Sequence, residues 1–196
     1  MTKIFFLISF LLLATNCNKQ NEDLSKVQDK YIMSYESWNL QTDSQIKRDS
    51  VLFYIDKLIN ISEDDFYKIE KIKFLCRIDK HNDALLVIKT LKEQDSFAIE
   101  LFRSLVEIKG YSNRADFGLK NVYDKYEGKK LTIEENFYKI ALDYYFKGGN
   151  YALNEINTII ERDVLSLSNK QLYQLLKQKI QEEEDGLEVL FYLYNL

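Results

Sequence analysis

Apolar residues recur along this chain at intervals of three and four, the spacing of one face of an α-helix. Leu24, Val27, Tyr31, Tyr35 and Trp38 form one such face, and Val51, Ile55, Leu58 and Ile59 form the next. Proline is absent and only 6 of 196 residues are glycine. The turn punctuation that a β-rich chain of this length requires is therefore missing, and the pattern predicts an all-α protein. Thr132-Ile-Glu-Glu135 and Ser168-Asn-Lys-Gln171 read as capping boxes, in which a hydroxyl accepts from a free backbone amide and the Glu or Gln reaches back. Ser62-Glu-Asp-Asp65 is a weaker version with Asp in the return position, and its acidic cluster suits the positive end of a helix. Gly110, Gly128, Gly148-Gly149 and Gly186 mark helix ends, where a left-handed residue closes the last turn. Five helical hairpins follow: 24–38 with 45–60, 64–78 with 82–93, 96–109 with 113–126, 133–147 with 151–163, and 170–184 with 187–194.

The second helix of each pair carries one motif: a first residue, an apolar residue four later, and another three beyond. It occurs as Val51/Ile55/Leu58, Ala84/Ile88/Leu91, Ala115/Leu119/Val122, Ala152/Ile156/Ile159 and Gly186/Leu190/Leu193. Successive copies start 33, 31, 37 and 34 residues apart. The small first residue lets two helices approach closely, which makes Ala115 and Ala152 packing positions. A second marker, Phe66-Tyr67-Lys68-Ile69, recurs as Phe137-Tyr138-Lys139-Ile140, each time opening a first helix. The link through Gly148-Gly149-Asn150 is shorter than the others and predicts a tighter turn.

These features resemble the tetratricopeptide repeat, a helix–turn–helix unit of about 34 residues. Tyr144-Tyr145-Phe146-Lys147-Gly148-Gly149-Asn150-Tyr151 is similar to that family's aromatic–glycine–aromatic turn, and the likeness covers roughly residues 45–196. The family's Trp-Leu-Gly-Tyr signature and its closing proline are absent. The resemblance implies an αα-hairpin solenoid of about five helix pairs with a core running its length; an irregular helical bundle is the plainer alternative. A stacked array also accounts for two apolar sides on 133–147, one with Phe137, Ile140, Ala141 and Tyr144, the other with Tyr138, Leu142 and Tyr145. The remaining stripe, Asn136, Lys139, Asp143 and Lys147, is expected to face a concave groove. Polar first-helix residues Lys73, Arg77, Arg103, Glu107, Lys139 and Asp143 are then the candidates for binding a polar or peptide-like partner.

The N-terminus changes the picture. After Lys3, Ile4 to Ala14 is an apolar run of 11 residues, where a spanning helix needs about 20. That length suits the core of a signal peptide. Leu13-Ala14-Thr15-Asn16-Cys17 resembles a bacterial lipobox, with Asn16 departing from the usual Gly, Ala or Ser, as in the relaxed lipoboxes of Bacteroidetes. The resemblance implies removal of residues 1–16, acylation of Cys17, a lipidated tether over 17–23 and a helical repeat domain over 24–196. Two or more acyl chains, at about 0.8 kcal/mol per buried methylene, anchor a protein stably. The expected place is the outer membrane, facing the periplasm. The acidic pair in the tether loosely resembles a surface-export signal, although a solvated linker is the preferred reading.

The net charge is −4, and loss of Lys3 with the leader makes it −5. That argues against nucleic acid and against electrostatic attachment to anionic lipid. Cys76 is the only thiol besides Cys17, so a disulfide framework is excluded and Cys76 reads as a small core residue. His81 is the only histidine; with no cysteine partner it makes no zinc site, and no triad assembles around it. A phosphate-binding glycine loop is also missing. Glu36-Ser37 resembles the start of the transglycosylase motif, but the glycine- and glutamine-rich continuation is absent. No enzyme activity, metal or cofactor is expected. Glu182-Glu183-Glu184-Asp185 reads as a solvated turn. The apolar segment Leu187 to Leu196 either folds back as a cap or offers a sticky end to a partner. A scaffold for a protein or peptide partner in an envelope complex is the leading expectation. An immunity lipoprotein that neutralises a toxin is the alternative, and neighbouring genes would separate the two.

Overall fold

The computed structural model describes residues 24–62, 64–111, 115–161, 165–183 and 185–196. The leader, Cys17 and the tether lie outside them, as do the side chains of Ala115 and Asp116. Ten helices and no strand occur among the described residues: α1 (24–39), α2 (Gln45–Ile61), α3 (Asp65–Arg77), α4 (His81–Ile88), α5 (Phe97–Gly110), α6 (Ala115–Tyr126), α7 (Ile133–Lys147), α8 (Gly149–Glu161), α9 (Leu167–Glu182) and α10 (Gly186–Tyr194). The protein is all-α. None of the described helices is long and apolar enough to cross a membrane. The chain divides into two compact units, 1–71 and 72–196, with the boundary inside α3.

In the first unit the α1–α2 turn has no glycine to shape it, and side chains do that work. Trp38 Nε1 and Arg48 Nε both donate to the Thr42 carbonyl at 3.1 Å, and Lys47 Nζ donates to the Ser37 carbonyl at 3.0 Å. These bonds occupy carbonyls that a helix end and a turn leave open. Trp38 is buried, with Tyr35 set edge-on against it. Lys71 pairs with Asp56 at 2.6 Å and joins the start of α3 to α2.

Local caps decide several boundaries. Thr132 and Glu135 form the expected capping box, with both bonds at 3.1 Å. Elsewhere the cap moves. Ser62 Oγ accepts from the Asp64 amide, and Asp64 Oδ1 in turn accepts from Phe66 N at 3.0 Å, so Asp64 is the residue that opens α3. Ser166, rather than Ser168, caps α9 by accepting from Asn169 N, because Ser166 already has the extended conformation a cap requires. Helix α4 stops at Ile88, short of the expected 93. Gln94 Nε2 donates to the carbonyls of Ile88 and Leu91, which satisfies the end of the helix from outside. Gly148, at φ +85°, closes α7 and Gly149 opens α8 directly, giving the tight turn. Gly186 does not end α9; it is the first residue of α10, capped by Asp185.

The periodic second-helix positions are buried. Ile55, Ile88, Leu119, Ile156 and Leu190 have no exposed surface, nor do Val51, Ala84 and Ala152. The third position is buried at Leu58, Val122 and Leu91, the last lying just beyond the end of α4, but only half-buried at Ile159 and Leu193. Within the second unit α4, α5 and α6 pack in succession, as do α7, α8 and α9, and among the first helices α7 touches both α5 and α9. The last helix breaks this order. Helix α10 packs most closely on α7, two helices back from its hairpin partner, and only lightly on α5 and α9. Of the two fates expected for Leu187 to Leu196, the fold adopts the first: the segment folds back.

Candidate functional site

Helix α7 is the centre of the second unit and has two differently built flanks. The first carries the polar stripe expected to face a groove. Its two central members are instead interior: Asp143 is 2% exposed and Lys139 8%. They pair at 2.7 Å, and Lys147 approaches Asp143 at 3.5 Å. Tyr123 of α6 covers them, its ring centre 4.6 Å from Lys139 Nζ and 5.4 Å from Lys147 Nζ, while Tyr151 of α8 lies 4.4 Å from Lys147. Cation–ring contacts of this kind strengthen as water is removed. Glu155 of α8 completes the group. Its Oε2 is buried without a hydrogen-bond partner, and burial, with the Asp143 charge behind it, raises its carboxyl pKa against the pull of Lys139 and Lys147. The cluster is an internal ion network between α6, α7 and α8. A stripe of charge at i, i+4 spacing usually marks a solvated face; here α6 and α8 close over it.

The other four predicted residues sit apart from it. Arg103 is half-buried and donates to Gln94 Oε1 at 2.7 Å, which braces the α4–α5 turn. Glu107, also half-buried, lies near Gly118 of α6. Lys73 is half-buried on α3. Arg77 is exposed, and its guanidinium donates to Asn195 Oδ1 at 2.8 Å, at the far end of α10. The structure thus brings together only Lys139 and Asp143.

The second flank of α7 is aromatic and receives α10. Tyr194 lies 4.7 Å from the ring of Tyr138 and stacks on Phe102 of α5 at 5.2 Å with planes 15° apart. Its hydroxyl donates to the Ala98 carbonyl at 3.1 Å. Burial, reinforced by Tyr138 and the charge of Glu135, holds that hydroxyl well above the usual phenol range. At the other end Gly186 meets the backbone of Tyr145, where a Cβ would stand 2.6 Å from the Tyr145 Cα. A side chain cannot fit there, so glycine is what allows the approach. Tyr144 ties the linker by donating to the Glu183 carbonyl at 2.5 Å. Three cations surround the seat of α10: Arg77 on Asn195, Lys109 over the Phe191 ring at 5.1 Å, and Lys179 over Tyr192 at 4.7 Å. The signals for this flank were present in the sequence, as the second apolar side of α7 and the apolar C-terminal segment. Repeat periodicity alone paired them with other neighbours.

Beside this seat lies an apolar cavity of about 120 Å³, walled by Ile133, Phe137, Tyr138, Leu172 and Tyr173. Leu172 and Leu175 on the adjoining face of α9 are exposed. No group of three or more metal-ligating side chains occurs among the described residues. His81 opens α4 and packs on Gly110. Cys76 is buried, and burial pushes its thiol up to about 12 against the opposing charge of Lys109. A thiol so raised stays protonated and is a poor nucleophile. No family model, curated protein or solved structure matches this chain.

Proposed function

We propose that this chain is an envelope lipoprotein, tethered through acylated Cys17, whose tetratricopeptide-like helix pairs form a scaffold for a protein or peptide partner. One observation carries the reading: the residues that recur at intervals near 34 are the ones the fold buries, Ala84, Ala152 and Gly186 at the first position and Ile88, Leu119, Ile156 and Leu190 four later. Tandem hairpins stack each on its neighbours and leave an extended concave surface for recognition. The apolar run that stops just before Cys17 supports export and lipid attachment, and the acidic charge favours a protein partner over nucleic acid. The outer membrane, on its periplasmic side, is the proposed place of action.

The test is cross-linking in intact envelopes followed by capture of the tagged chain. One or a few proteins should be enriched over a control lipoprotein, and Cys17→Ser should release the chain from the membrane fraction or leave it uncleaved. Recovery of a toxin encoded next door would make the role one of immunity. Failure to enrich anything, with Cys17→Ser still processed and membrane-bound, would overturn the proposal.

A further inference from the structure

We infer that the outward face of α9 is a self-association surface and that its occupant is a second copy of this chain. Helix α9 buries Tyr173, Leu176 and Ile180 and packs on α8, α7 and α10. Because α10 folds back onto α7, no described helix covers the opposite side of α9. The end of a helical array needs a polar outer face to remain soluble alone. The exposed face of α9 is not built that way. Between 167 and 181 it presents three leucines, four glutamines and one serine, and no charged residue, in a chain of which 30% of residues are charged. Leu167 is 75% exposed and Leu175 61%. The lysines of α9 are half-buried; Lys177 donates to Asn157 of α8 and Lys179 to Glu183, both at 2.8 Å. Loss of charge around an apolar centre is what marks the core of a protein–protein contact.

Two properties of this face select its own copy as the occupant. The first is charge. At a net −4 two copies repel each other wherever charged faces meet, and here they meet without a like-charge contact. Glutamine carries a donor and an acceptor on one side chain, so Gln171, Gln174 and Gln178 are complementary to themselves. The second is shape, because the face holds both halves of an apolar fit. Leu172 forms the lip of the 120 Å³ cavity, and the exposed Leu175 stands one turn further along α9. A cavity of about 150 Å³ with apolar walls holds a benzene-sized group, so this one has room for a leucine side chain. A two-fold axis near Leu172, with the two α9 helices antiparallel, lays the Leu175 of each copy over the cavity of the other. One patch then makes the contact twice, as an isologous dimer requires. Glu134 is the one charged residue lining the cavity and is itself exposed, so filling the cavity from the Leu172 side leaves its carboxylate in water.

Sedimentation velocity of the purified chain over a range of concentrations reads the association directly, with circular dichroism as the check on folding. Wild type should pass reversibly from monomer to dimer. Leu175→Glu puts a charge at the centre of the contact and should raise the dimer Kd roughly tenfold or more, with helicity unchanged because the side chain is exposed in the monomer. Leu86→Glu, at a leucine of α4 that is also 61% exposed, should leave Kd where it was. Cys76 is buried, so Gln171→Cys supplies an exposed thiol close to the axis. Oxidation in cells should convert that variant to a covalent dimer, and Thr158→Cys, exposed on α8, should give none. A chain that is monomeric at every concentration and yields no cross-link overturns the inference. So does a dimer that Leu175→Glu leaves intact, or that Leu86→Glu weakens as much. Leu175-dependent binding of a monomer to phosphatidylcholine vesicles, or Leu175-dependent capture of an envelope protein by a monomer, would assign the face to lipid or to that protein and overturn the dimer. A monomer that still captures its envelope partner after Leu175→Glu would overturn this inference alone and leave the scaffold reading standing.

Discussion

The two flanks of α7 are built by opposite means. Towards α10 the contact is aromatic and small: Tyr138 against Tyr194, and the Tyr145 backbone against Gly186. Towards α6 and α8 it is charged, with Lys139, Asp143 and Lys147 gathered under Tyr123 and Tyr151. An aromatic contact gains free energy from area removed from water and tolerates an imperfect partner. A buried ion pair gains little over an apolar pair of the same size, but loses heavily when one member is removed. The charged flank therefore depends on every member of the network being present, whereas the aromatic flank depends on area and fit.

The largest expected effect breaks the charged flank. Asp143→Ala leaves Lys139 buried without its hydrogen-bonded carboxylate, and should cost about 3–5 kcal/mol in chemical denaturation. The double change Lys139→Met/Asp143→Leu removes both charges and should recover most of that loss. If the single variant is as stable as wild type, the pair is solvated and the contrast between the flanks is false. The aromatic flank should break more gently. Gly186→Ala places a Cβ against the Tyr145 backbone, and overpacking of this kind costs about 1–3 kcal/mol. Because the strain is relieved by moving α10 alone, the Leu190 and Tyr194 environments should change by NMR while those of Lys139 and Tyr123 do not. An unaltered α10 would show that glycine is not required there.

Much of this fold was legible in the chain. Nine of the ten helices lie where hairpin spacing placed them, to within a few residues, because a period of three and four is a local property and caps act over one turn. The exception, α4, ends early because Gln94, a residue outside the helix, satisfies its last carbonyls. What was not legible is which neighbour each face meets. Lys139 and Asp143 have the spacing of a surface pair, and nothing local tells that Tyr123, sixteen residues earlier, will cover them. Similarly Leu187 to Leu196 is plainly apolar, but its choice of α7 over α9 depends on Tyr138 and Phe102, both distant in sequence. The six residues expected to line one groove fell on different surfaces for the same reason.

The smallest expected effect appears at alkaline pH and compares the two flanks once more. Cys76 is pushed up to about 12 from an ordinary 9.0, and the phenols of Tyr138, Tyr173 and Tyr194 are also raised, in each case chiefly by burial. Between the unfolded and folded values the unfolded chain has lost a proton that the folded chain keeps. Stability from these groups is thus complete below pH 9 and declines as pH rises through the raised values. Lys147, raised by its contacts with Tyr123 and Tyr151, acts in the same direction but only above its ordinary 10.5. The thiol is therefore the first to contribute, and by pH 10 it should account for roughly 1 kcal/mol. Cys76→Ala should lower stability by a constant amount at neutral pH yet flatten its decline between pH 9 and 10. The variant should go on falling less steeply up to about pH 12, where the wild-type thiol itself ionises, and the decline it keeps comes from the phenols of the aromatic flank and Lys147 of the charged flank. An identical slope in wild type and variant from pH 8.5 to 10 would mean that the thiol titrates normally and that water reaches it.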